Sequence, residues 1–266
     1  MAEGQMPLTE LSRRAEALES TGNWVEAASV WKELVARDSD VSSVVRAALA
    51  LSKANQLDAA EQMLQSYRHT HSDSPRFLVA LGMVEKQLGK LEAARVSLEA
   101  ALSIEEQSFV LTILGWIQQR LGRPEAAEQA YLRALHLDPN DDEAHLGLAQ
   151  TLAKKDPDAA IAHIRKAIDA EPHDGSLYSE FAQLLWRAGK TEEAEQAARR
   201  AIELDPQNLG HMTSSGTWQF CETTGWQLRV SSDWPSLSTL MSPCFGVIWL
   251  MLQRMSGFGK RRSDIS

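Results

Sequence analysis

The sequence predicts an all-α fold: a solenoid of about six helix-turn-helix units followed by an irregular C-terminal tail. Three observations predict it. An alanine returns six times, at Ala27, Ala60, Ala94, Ala127, Ala160 and Ala194, with spacings of 33, 34, 33, 33 and 34 residues. Each sits in a similar phrase: NWVEAASVW, QLDAAEQML, KLEAARVSL, RPEAAEQAY, DPDAAIAHI and KTEEAEQAA. Apolar residues then recur at i, i+4 and i+7, which is one face of a helix. A fixed period near 34 marks a stacked array, in which each unit buries its apolar face only against its neighbours.

The units fall at 8–40, 41–74, 75–107, 108–141, 142–174 and 175–208, after a short arm at 1–7. Each opens with an amphipathic helix carrying a small residue eight places in: Ala15, Ala48, Gly82, Gly115, Ala149 or Ala182. That residue is expected to face the recurrent alanine of the second helix, since two helices approach closely only where neither side chain is large. A turn follows, with Gly22, Gly89, Gly122 and Gly189 where a left-handed cap favours glycine. The fifth unit is one residue short there and turns on Lys155-Asp156-Pro157. The second helices read Ala94–Leu98–Ala101–Ile104 in the third unit and Ala127–Tyr131–Ala134–Leu137 in the fourth. Pro139, Pro172 and Pro206 close the last three units, denying the next backbone donor. Ser39 and Ser72 stand at that place in the first two.

Leu-Gly/Ala in the first helix, the turn glycine, alanine in the second helix and a closing Asp-Pro resemble the tetratricopeptide repeat family. The resemblance covers residues 8–208. It implies a right-handed superhelix of helix pairs with a concave groove lined by first helices. Carrying the family's groove positions across residue by residue gives an apolar set, Val45, Leu49, Val79, Met83, Trp116, Leu146 and Trp186. It also gives a basic set, Lys53, Lys86, Arg120, Lys154 and Arg187, one per unit from the second to the sixth. The two tryptophans either fill gaps between helices or anchor a bound segment. The basic residues are either solvated helix ends or a stripe along the groove. One class of the family clamps a C-terminal carboxylate with Asn and Lys/Arg on first helices. The matching ninth positions here are Glu16, Leu49, Met83, Trp116, Gln150 and Gln183, without an Asn, so that specificity does not transfer.

Net charge is −9, and residues 1–208, with 22 Lys/Arg against 33 Asp/Glu, carry −11 of it. An acidic array argues against nucleic acid as partner, because that binding needs a positive surface to displace counterions. No cysteine occurs in 1–208, so neither a disulfide nor a thiolate metal site belongs to the array. Residues 1–20 lack an apolar core of signal-peptide length, which makes the cytoplasm the expected compartment. The histidines at 69, 71, 136, 145, 163, 173 and 211 are scattered, and His69 and His71 end a helix, where a cation suits the dipole. No phosphate loop, dinucleotide fingerprint, nucleophile elbow or zincin motif is present, and DPNDDE (Asp138–Glu143) lacks calcium-loop spacing. The reading is of a non-enzyme without cofactor or metal.

Residues 209–266 differ abruptly. The first 208 residues hold 35 alanines and the last 58 none, while the tail holds both cysteines, four of eight tryptophans and fifteen Ser or Thr. It is a disordered tail, a small cap, or further repeats translated out of frame. CFGVIWLML (Cys244–Leu252) is nine apolar residues, against the about 20 needed to cross a bilayer, so a membrane role is disfavoured.

The function that follows is a protein-interaction scaffold holding a protein or peptide segment, with acidic residues toward the basic stripe. The alternative is the N-terminal repeat portion of a larger bacterial enzyme, such as a glycosyltransferase or sulfotransferase, an association by fold alone. The packing logic makes one prediction at once. Ala127→Leu overpacks the helix crossing and should lower stability by roughly 1–3 kcal/mol in a denaturant titration; an unchanged midpoint would place the alanine elsewhere.

Overall fold

The computed structural model describes residues 6–205. Among them it contains twelve α-helices and no strand. They pair as α1 (Leu8–Ser20) with α2 (Trp24–Arg37), α3 (Val41–Lys53) with α4 (Leu57–Tyr67), and α5 (Pro75–Gln87) with α6 (Leu91–Ile104). The array continues with α7 (Ser108–Arg120) and α8 (Pro124–Leu137), α9 (Asp142–Leu152) and α10 (Pro157–Ala170), and α11 (Gly175–Arg187) and α12 (Thr191–Leu204). Packing is between sequence neighbours, with added contacts of α3 on α5 and α7 on α9. This is the quasi-one-dimensional pattern of an α-solenoid. No described helix is long and apolar enough to cross a membrane. The alternatives for the tail concern residues outside the described ones.

Local chemistry sets each boundary. Asp40, Ser74, Asp141, Asp156 and Asp174 accept a backbone N–H from the first turn of the helix that follows, the ordinary N-cap bond. Gly22, Gly89, Gly122 and Gly189 hold φ between +73° and +75° in the hairpin turns. In the second hairpin Asn55 takes that role at φ +59°, the non-glycine residue that best tolerates it.

The six recurrent alanines are all buried, none more than 1 % exposed. Their opposite numbers differ from the expectation of small facing small. A Cβ on Gly82 would stand 2.7 Å from Leu98 and 3.3 Å from the Ala94 carbonyl. One on Gly115 would stand 2.7 Å from the Tyr131 ring. The glycine makes room for a large residue one turn beyond the alanine. Tyr131 is held on both sides, since a Cβ on Gly147 would run into the same ring. One aromatic side chain from α8 thus fills the space that two side chains, on α7 and α9, would occupy.

Polar chemistry also enters the core. Glu85 and Gln118 replace the leucine found at the same place in α1, α3 and α11 (Leu18, Leu51, Leu185). Burial pushes the Glu85 carboxyl up, opposed by a hydrogen bond that Ser97 Oγ donates at 2.7 Å. His71 is not simply a solvated helix end. Its ring packs on Tyr67 and Phe77, and its Nε2 lies 3.0 Å from the Ser39 carbonyl.

Two of the scattered histidines meet. His145 Nδ1 and His163 Nδ1 are 3.0 Å apart, and His145 Nε2 is 3.1 Å from the Pro139 carbonyl. A carbonyl only accepts, so His145 carries a proton on Nε2; with both rings neutral, its Nδ1 accepts from His163. Burial holds both imidazoles below their usual range, and Lys166 adds to this for each; Asp141 and Asp142 oppose it at His145.

The clamp on Tyr131 is open to test. Gly147→Ala should destabilise by about 1–3 kcal/mol, because the Tyr131 ring cannot yield in a closed core. Tyr131→Leu in the same chain should recover part of that loss, so that the two changes are not additive in denaturant titration; strict additivity would separate the glycine from the ring. The histidine pair sets a pH dependence. Both folded-state pKa values lie below the unfolded value of about 6.5, so the unfolded chain takes up protons first as pH falls. The stability is complete above that pH and lost below it. Melting temperature should fall between about pH 7.5 and 5.5, and His163→Gln should flatten the slope; an unaltered slope would remove the pair as its cause.

Candidate functional site

The first helices form one layer of the array and the second helices the other. First helices touch across repeats: Ser52 Oγ donates to Gln87 Oε1 at 2.5 Å between α3 and α5, and Lys86 of α5 lies over Trp116 of α7. On this first-helix face the residues expected from the sequence separate into three groups. Leu49 (43 % exposed), Trp116 (38 %), Lys53, Arg120, Lys154 and Arg187 are open to solvent. Val79, Met83, Lys86, Leu146 and Trp186 are half-buried. Val45 is buried and belongs to the core cluster with Ala15, Trp31 and Leu34, so it offers no surface. Thr112, at the same place in α7, is also buried and donates to Asp141 Oδ2 at 2.7 Å, whereas Val79 and Leu146 at that place stay half-buried.

Three expected residues come together. The Trp116 ring has Lys86 Nζ 4.6 Å from its centroid and Arg120 Cζ 5.6 Å from it. Cations placed over an indole face are attracted by its quadrupole. Lys86 reaches it from the neighbouring helix, and Arg120 from one turn further along α7. The ring is thereby held in place while part of its surface stays open. Phe109 is an addition to the expected set. It is 53 % exposed and sits two turns before Trp116 on α7. The series 109, 113, 116, 120 has the spacing of one helical face, which is the signal in the sequence that finds it.

The basic residues divide by location. At the hairpin turns each is used between second helices of adjacent repeats: Lys90 with Glu61 at 2.7 Å, Arg123 with Glu92 at 2.6 Å, Lys155 with Glu128 at 3.0 Å and Lys190 with Asp158 at 2.8 Å. These are exposed pairs of small individual worth. On the first-helix face, none of Lys53, Lys86, Arg120, Lys154 and Arg187 forms an ion pair with a described residue. Arg187 lies near Glu180, whose carboxyl is pushed up by burial and drawn back by that charge. Toward the N-terminus the face changes character. Arg46 pairs with Glu16 at 2.6 Å and lies over the Trp31 ring, whose Nε1 donates to Glu19 at 2.7 Å.

Among the described residues no three His, Cys, Asp or Glu side chains converge to hold a metal ion. One cleft of about 250 Å³ opens between α10, α11 and α12, lined by Tyr178, Phe181, Arg165 and Arg200. Both arginines there are already paired, with Glu193 and Glu203.

Comparison with known proteins agrees with this architecture. Tetratricopeptide repeat family models match residues 75–108, 114–174 and 151–212. A curated relative, the small glutamine-rich tetratricopeptide repeat-containing protein 2 of Mycosarcoma maydis, is 31 % identical over 81 residues. That stretch is 30 % of this chain and 23 % of the relative, so the chain spans under a quarter of that protein's length. Among solved structures, YrrB, a TPR protein with an unusual peptide-binding site, is similar with a TM-score of 0.58 at 20 % identity, over 68 % of this chain and 95 % of that one. A tetratricopeptide repeat protein from Parabacteroides merdae ATCC 43184 gives 0.63 at 19 %, over 74 % and 79 %. MamA gives 0.56 at 20 %, over 60 % and 95 %. At these identities the structures share the fold.

Proposed function

This chain belongs to the tetratricopeptide repeat family, and from that premise we propose that its first-helix face binds a segment of another protein. The array is a scaffold for interaction rather than an enzyme. The observation that carries the reading is Trp116, an exposed indole fixed between Lys86 and Arg120. Tryptophans are among the side chains that most often dominate binding energy when a partner desolvates them. Leu49 and Phe109 extend the apolar surface, and Val79, Met83, Leu146 and Trp186 complete it below. Lys53, Lys86, Arg120, Lys154 and Arg187 supply a positive line on an acidic chain and draw carboxylates of the bound segment toward it. Complementary charge of this kind raises specificity and on-rate more than affinity. The likeness to YrrB, which has a peptide-binding site, supports a peptide as the ligand class.

The test is recovery of lysate partners on immobilised protein at two salt concentrations. Trp116→Ala and Arg120→Ala should each weaken capture while helicity stays intact. The Arg120 effect should shrink at high salt, where the Debye length falls to about 3 Å at 1 M. The Trp116 effect should persist, because apolar burial is not screened. Glu128→Ala, on the second-helix layer, should do little. If Glu128→Ala abolishes capture and the other two do not, the partner uses the opposite layer and this reading is lost.

A further inference from the structure

The arrangement of the first-helix face, together with the binding function proposed for it, identifies the kind of segment it takes. In α3, α5 and α7 the exposed face repeats one motif: an apolar residue followed by a base three or four residues on. The pairs are Leu49 with Lys53, Met83 with Lys86, and Trp116 with Arg120. That spacing sets both members on one face, a turn apart. Leu49, Met83 and Trp116 hold the ninth place of successive units and form an apolar lane across three helices; the bases form a basic lane about one turn on, Lys53 and Arg120 at the thirteenth place and Lys86 at the twelfth. Phe109 widens the apolar lane on the side away from Arg120.

The apolar lane has ends. In α1 the corresponding residue is Glu16, engaged with Arg46. In α9 and α11 it is Gln150 and Gln183. The basic residues run on with Lys154 and Arg187, but there the ninth place holds glutamine, and the apolar residues Leu146 and Trp186 stand at other places in their repeats. The double lane is thus confined to the second, third and fourth repeats.

The pairing of the lanes selects the occupant's conformation. α3 packs on α5, and Lys86 of α5 reaches the Trp116 ring of α7. A helix repeats the same face about every seven residues and so carries apolar residues along one edge and carboxylates along the adjacent edge. An extended strand turns successive side chains to opposite faces and cannot set two such rows side by side. We propose that the occupant is an acidic amphipathic helix, lying across α3, α5 and α7 with its apolar edge on Leu49, Met83 and Trp116 and its carboxylates over Lys53, Lys86 and Arg120. Its charge is complementary to three bases that no described carboxylate neutralises, and at one end of the lane Glu16, paired with Arg46, offers neither an apolar contact nor a free cation.

The probe is a fluorescein-labelled peptide of about 21 residues, three heptads long, with leucines on one edge and glutamates on the adjacent edge. Two comparators accompany it: the same composition shuffled out of heptad register, and the heptad peptide with lysine for glutamate. Fluorescence anisotropy against the full chain should show the heptad peptide binding at least about tenfold tighter than the shuffled one, with no binding of the lysine form. Leu49→Glu and Lys53→Ala should each weaken the heptad peptide severalfold, and Arg187→Ala, beyond the apolar lane, should not. Circular dichroism should show the peptide gaining helix on binding. Equal binding of the shuffled peptide would overturn the helical occupant while leaving the face as a binding surface. So would a failure of every peptide to bind while Trp116→Ala still strips partners from the protein in lysate. Tight binding indifferent to Leu49→Glu, Lys53→Ala and Trp116→Ala would overturn both the lanes and the function proposed for this face.

Discussion

The close contact of the two helices within each repeat is the constraint on which everything else rests. Six alanines, none more than 1 % exposed, sit where the second helix meets the first. Nothing larger fits there, and in the third and fourth repeats the partner helix gives up its own side chain at Gly82 and Gly115 to admit Leu98 and Tyr131. Interiors packed to crystal-like density accept few such geometries. Fixing the crossing fixes the pitch, and a fixed pitch carries a given position to the equivalent place in the next repeat. The surface lanes are a consequence of the core. Leu49, Met83 and Trp116 hold the same place in successive repeats, next to the small residues Ala48, Gly82 and Gly115 of the crossing.

The bases at the ends of the first helices have a structural reason to be there, apart from the binding role proposed for them. Lys53, Lys86, Arg120 and Arg187 all lie in the last turn of a first helix, where unsatisfied carbonyls favour a positive charge. The helix dipole explains why a base belongs there but not why it lacks an acidic neighbour. The turn bases a few residues on are each matched by a carboxylate of the preceding second helix. The turn bases are matched across repeats while Lys53, Lys86 and Arg120 have no carboxylate partner among the described residues, and that difference leaves positive charge on the first-helix face.

Much of the fold is legible in the sequence because repetition multiplies a weak signal. The single phrase around Ala127 fits many helices; six copies in register fit a solenoid. The features that escape are those in which one repeat departs from the others. Asn55 takes the left-handed turn that glycine takes elsewhere, a substitution a glycine pattern cannot show. Val45 has a groove position by its place in the repeat but turns into the core, as Thr112 does. Phe109 stands at helical spacing from Trp116 and at the second place of its repeat, one of the family's groove positions, so the residue pattern could have included it; its 53 % exposure is visible only in the structure. His145 and His163 are eighteen residues apart on different helices, and only the hairpin geometry brings their rings within 3.0 Å. The facing of Gly115 and Tyr131 is hidden for a related reason. The pattern locates both small residues of the crossing, but the offset of one turn between them is a property of the crossing, not of either helix alone.

A basic lane on a chain of net charge −9 also limits what can bind there. At a distance an acidic ligand meets an acidic body, and repulsion opposes its approach. At physiological salt charges are screened over about 8 Å, so the lane is felt only by groups already near it. A diffuse polyanion gains little, since it brings as many charges toward the acidic second-helix layer as toward the bases. A segment that sets its carboxylates along one edge, a turn away from its apolar residues, meets only the lane. Apolar contact with Leu49 and Trp116 must then hold it close enough for the charges to act. In the binding mode proposed for this face neither lane suffices alone, and the spacing between them, set by about one helical turn inside each repeat, is the property of the ligand that the array would measure.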